Sequence, residues 1–66
     1  MSLRIFAVED DLTFDRAYCR TMKLPFRFGW DHWEVFEALP NQMLRFVKSF
    51  SRYSEAERFI NDAAQH

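Results

Sequence analysis

The chain has 66 residues, 48% hydrophobic and 18% aromatic, with one glycine and two prolines; it suffices for one small packed domain and is too apolar for a disordered segment. Nine Lys and Arg stand against ten Asp and Glu, a formal net charge of −1, so nucleic acid or an anionic membrane would have to be held by a local patch. The single Cys19 excludes an intramolecular disulfide and suits a reducing compartment, no apolar run approaches the roughly 20 residues that span a bilayer, and MSLRIFAVEDD lacks a signal-peptide profile, so a cytoplasmic protein is expected.

Leu3 to Val8 is a short apolar run ended by Glu9, Asp10 and Asp11. It reads as a strand, and its imperfect alternation predicts burial on both faces. The acidic triplet then marks a solvated strand end leading into a helix, where negative charge suits the helix dipole. From Thr13 to Lys23 helical spacing puts Phe14, Ala17, Tyr18, Thr21 and Met22 on one face, whereas strand alternation would bury two arginines; a helix is expected. That helix carries Arg16, Arg20 and Lys23 as a basic stripe on its solvent side and ends before Pro25, which restricts the preceding residue and lacks an N–H. Pro25 to His32 alternates Phe26, Phe28 and Trp30 with polar residues and Gly29, and fits either a strand or an aromatic loop laid over a sheet.

Trp33 to Phe50 is the organising stretch. Two runs of aromatic and β-branched residues flank Pro40-Asn41-Gln42, the pattern of a β-hairpin. A three-residue loop sets Leu39 against Met43, Glu37 against Arg45, Phe36 against Phe46, Val35 against Val47 and Glu34 against Lys48, so that both acids oppose bases. Alternation then puts Phe36, Ala38, Leu44, Phe46 and Phe50 on one face and Trp33, Val35, Leu39, Met43 and Val47 on the other. Ser54 and Glu57 have capping-box spacing, and Ala56, Phe59, Ile60, Ala63 and Ala64 form the apolar stripe of a closing helix. The expected fold is α+β, a single domain over residues 1–66 in which two helices cover a small three-stranded, mainly antiparallel sheet in the order β-α-β-β-α.

Residues able to carry chemistry are few. Cys19 and His32 are the only thiol and imidazole far from the chain end, and nothing in their spacing joins them, so no enzyme is expected. Asp31, His32, Glu34 and Glu37 are separated by strand alternation, and one glycine cannot build a phosphate loop, so neither metal nor cofactor is expected. An apolar, two-sided hairpin in so short a chain points instead to a non-enzymatic protein-interaction module. The expected output is inhibition or modulation of a protein partner by occlusion, including a partner that itself binds nucleic acid; neither a membrane nor a small-molecule substrate enters. In size and build alone the chain resembles small inhibitors encoded by phages or plasmids, anti-CRISPR proteins among them. Trp30, Trp33 and Tyr53 are the candidate apolar anchors, and Glu9, Asp10, Asp11 and Asp15 the candidate contacts to a basic surface. Two alternatives stand beside this. One is a single-stranded nucleic-acid binder using Arg16, Arg20, Lys23 and Arg27 with stacking aromatics; the other is a structural homo-oligomer, the simplest being a homodimer through an uncovered face or edge strand.

Overall fold

The structure, a computed structural model, describes residues 2–65. It is α+β, with four strands where three were expected: β1 (Ser2–Glu9), β2 (Leu12–Phe14), α1 (Arg16–Thr21), β3 (His32–Ala38), β4 (Leu44–Phe50) and α2 (Tyr53–Ala64). The chain order is therefore β-β-α-β-β-α. All neighbouring strands are antiparallel, in the sheet order β2-β1-β3-β4.

The additional strand comes from the acidic triplet. Asp10 and Asp11 take left-handed φ values of 52° and 65°, and Glu9 faces Leu12. A two-residue loop with both residues left-handed is a tight hairpin turn, which short Asp side chains tolerate better than most. The chain thus doubles back instead of entering a helix. Asp15 then caps α1, its Oδ1 accepting from Tyr18 N–H at 2.6 Å.

The first helix is shorter than its periodicity predicts and buries a different face. Leu24 N–H donates to Cys19 O at 2.8 Å and Lys23 N–H to Arg20 O at 3.2 Å, with Lys23 at φ 58°. These two bonds form a Schellman ending, so the helix stops before Pro25 has any influence. Cys19 is 1% exposed, while Tyr18 and Met22, assigned to the apolar face, are 42% and 53% exposed.

Residues 25–31 form the aromatic loop of the two options. Trp30 Nε1 donates to Pro25 O and Trp33 Nε1 to Phe26 O, both at 2.8 Å, so two indoles pin its backbone. Gly29 has φ 90°, and a Cβ there would meet no atom within 4 Å, so conformation rather than space selects glycine.

The hairpin forms with the expected register at its closed end. Glu37 faces Arg45 and Phe36 faces Phe46. Beyond Val35 the ladder carries a bulge: Val35 faces Lys48, Glu34 faces Ser49 and Trp33 faces Phe50. The extra residue moves Phe50 onto the Trp33 face and removes the expected Glu34–Lys48 pair. The capping box is also absent. The last helix starts at Tyr53 with no side-chain cap, and Glu57 Oε2 instead accepts from the Tyr53 hydroxyl at 3.3 Å.

The core lies between α2 and one sheet face. Ala7, Trp33 and Val35 of the sheet meet Tyr53 and Ala56 of the helix, with Phe26, Trp30, Phe50 and Phe59 around them. Arg16 of α1 donates to the Tyr53 hydroxyl at 2.6 Å, and Phe14, which leads into that helix, stacks on Trp30. Both helices and the aromatic loop therefore share one side of the sheet. Among the described residues no helix is long and apolar enough to cross a membrane.

Candidate interaction surface

Strand alternation sends a second set of side chains to the opposite face. Arg4, Phe6 and Val8 come from β1, His32, Glu34, Phe36 and Ala38 from β3, and Leu44 and Phe46 from β4, aligned by the pairs Arg4 with Phe36 and Phe36 with Phe46. Phe6 meets Phe36 edge-on at 5.2 Å, and Phe36 meets Phe46 at 5.7 Å with planes 77° apart. The three rings interlock in a preferred edge-to-face geometry, which fixes them without a covering layer. Phe46 is 51% exposed and Leu44 44%; Phe6 and Phe36 are half-buried. The first strand is buried on both faces only at its far end, where Ala7 is 0% and Val8 4% exposed; toward Ser2 the side shared by Arg4 and Phe6 opens. His32 Nε2 and Glu34 Oε2 lie 3.3 Å apart at the polar margin.

The residues singled out in the sequence fall into separate places. Glu9, Asp10 and Asp11 cluster at the exposed β1–β2 turn, joined by Asp31, whose Oδ2 accepts from Asp10 N–H at 3.2 Å. Asp15 stands apart as a helix cap. Trp33 and Tyr53 are 5% and 6% exposed, so they are placed in the core rather than at the surface; Trp30 is half-buried against them.

The basic stripe is divided. Arg16 lies over the Phe26 ring at 5.1 Å and the Tyr53 ring at 5.8 Å, and Arg27 over Tyr53 at 5.6 Å. Arg20 on the short helix and Lys23 just past its end remain exposed. Of the candidate stacking rings, Phe28 alone is strongly exposed, at 69%. Cys19 is enclosed, and burial, followed by the Asp15 carboxylate, pushes its thiol pKa up, which keeps it protonated and unreactive.

Phe6 and Arg4 were not singled out in the sequence, and Asp31 was weighed there only as a metal ligand, not as a neighbour of the acidic turn. Phe6 reads there as one more apolar residue in a buried strand, and only its pairing with Glu34 shows which face it joins. Asp31 approaches the turn because its own N–H donates to Val8 O at 3.0 Å, a contact 23 residues away that no local pattern announces. No family model matches the chain, and neither a curated protein nor a solved structure matches it.

Proposed function

We propose that the protein is a non-enzymatic interaction module that docks on a protein partner through its open sheet face and acts by occluding the partner's surface. The observation that carries this is the Phe6–Phe36–Phe46 cluster, interlocked and left uncovered while both helices pack on the other side. Rigid, half-exposed rings lose little side-chain entropy on binding, and a contiguous apolar patch with a polar margin is the usual anatomy of a contact site. The acidic turn at one end of the sheet selects a partner with a basic rim around an apolar centre, and electrostatic attraction there speeds encounter. A partner that binds nucleic acid meets that description. The chain is similar to phage- and plasmid-encoded inhibitors in size and build alone, and inhibition by occlusion is the output we assign.

The test is capture from native extract after nuclease treatment, with wild type and Phe46→Ser in parallel. Phe46→Ser is expected to stay folded and to lose the captured protein; retention of the same protein by the variant refutes the docking face. Replacement of Glu9, Asp10 and Asp11 by lysine is expected to weaken capture, more at low salt than at high salt. If nuclease removes the binding, and residual affinity falls with salt in a manner relieved by Arg20→Ala, a nucleic-acid binder replaces this function.

A further inference from the structure

We infer that the outer edge of β1 between Ser2 and Phe6 accepts an extended, acid-centred segment of a partner protein, added antiparallel as a strand in line with β2. This goes beyond the docking face and does not depend on it.

Two neighbours flank β1 unequally. On one side β3 pairs with it from Ser2 to Val8; on the other β2 pairs only with Ala7, Val8 and Glu9. In an antiparallel strand, alternate residues turn their N–H and C=O to opposite sides. Val8 points its carbonyl toward the Asp31 end of β3, accepting at 3.0 Å, so Glu9, Ala7, Ile5 and Leu3 present theirs to the β2 side. Glu9 and Ala7 meet Leu12 and Phe14. Leu3 and Ile5 have no backbone partner on that side among the described residues, because the chain leaves the strand line at Asp15 to start α1. Two N–H and two C=O groups therefore stand in register for a further strand, about 4.8 Å away.

The space beside them is shaped for side chains as well. A groove of about 450 Å³ lies along this edge, its apolar lining from Leu3, Ile5 and Ile60 and its polar rim from Asp15, Arg16 and Glu57. Strand residues opposite Leu3 and Ile5 direct their side chains toward that groove, where β-branched apolar groups fit. The residue between them faces Arg4, on the open side of the sheet and next to Phe36. This is a non-hydrogen-bonded position, where facing side chains come closest, so an acid there gains and a base loses.

The same geometry disfavours a second copy. The symmetric register that uses the whole free edge pairs Arg4 with Arg4 of the second copy at that close position. A symmetric register centred on Ile5 sets Leu3 against Ala7, which is already paired to Phe14, and leaves Leu3 unused.

The test uses the whole protein and two capped heptapeptides with Thr flanks, one centred on Val-Glu-Val and one on Val-Lys-Val. At millimolar peptide the Leu3 and Ile5 amides are expected to slow in hydrogen exchange, while Arg4 and Phe6, already paired to β3, keep their rates. The Glu peptide is expected to bind about fivefold more tightly than the Lys peptide, and Arg4→Glu to reverse that order. Unchanged Leu3 and Ile5 exchange overturns the proposal, and so does equal binding of the two peptides. Protection that grows with protein concentration and without peptide assigns the edge to a second copy instead. A failed capture by the open face together with a successful peptide titration removes the docking function and leaves this site standing.

Discussion

Among the described residues five other than glycine hold left-handed backbone: Asp10, Asp11, Lys23, Asn41 and Gln42. With one glycine to spend on turns, the sequence fills such positions with side chains, and three of the five are Asp or Asn, whose short polar groups tolerate that region. Lys23 has no such excuse. It occupies the left-handed position of the Schellman ending, which glycine fills at least cost, so Lys23→Gly is expected to stabilise the fold by up to about 1 kcal/mol after the added freedom of the unfolded chain is counted. For a domain of this size that raises the unfolding midpoint by several degrees, and a lowered midpoint in a thermal melt refutes it. Cys19 makes a second prediction at this scale. Burial first and the Asp15 carboxylate second raise its pKa above the ordinary value of about 8.5. The stability linked to the neutral thiol is fully present below that pH and is lost as pH rises through the raised native value. Wild type should therefore lose stability from about pH 8.5 upward more steeply than Cys19→Ala, and parallel urea-unfolding midpoints across that range exclude the effect.

Between residue and molecule stand the two hairpins, one legible in the sequence and one not. The β3–β4 hairpin was readable because its turn residues, charge pairs and apolar runs agree, and Glu37 does hold Arg45, with Nε to Oε1 at 2.9 Å. Its bulge was not, because an extra residue near Val47 alters neither composition nor turn signals; it changes only which face the following side chains join, and that moved Phe50. The β1–β2 hairpin was hidden because Asp-Asp lacks the glycine that advertises such a turn, and an acidic run before an apolar one equally describes the start of a helix. The capping box failed for a tertiary reason: burial of Tyr53 against Trp33 places the helix start before Ser54, so local pairing yields to the core. Replacing Asp10-Asp11 with Asn-Gly suits the observed dihedrals and removes two like charges. We expect a stability gain of about 1 kcal/mol and slower amide exchange in Leu12 to Phe14, and faster exchange there refutes the turn.

On the scale of the whole molecule, the division of aromatics between two sheet faces separates what holds the fold from what it offers outward. The chain exposes 5166 Å², whereas the scaling for compact monomers gives about 4,450 Å² at its mass of 8.0 kDa. That an apolar ribbon exceeds what two short helices can hide was legible from residues 33–50; that both helices choose the same side was not, since only the path through Phe14, Arg16 and Tyr53 sets it. Two substitutions follow with opposite signatures. Trp33→Ala opens the core beneath Tyr53 and removes the bond to Phe26 O, a change that typically costs about 3–5 kcal/mol. Total stability for a chain this long is roughly 3–10 kcal/mol, so this variant should be largely unfolded or markedly weakened in urea. Phe46→Ser removes a ring already 51% exposed together with its edge-to-face contact to Phe36, and should cost about 1–2 kcal/mol, less than Trp33→Ala. Urea midpoints measured beside partner capture separate the two roles: the first variant loses binding because it loses its fold, the second keeps its fold and loses binding. If Phe46→Ser proves as unstable as Trp33→Ala, the open face is a structural layer, and the claim that it serves a partner fails with it.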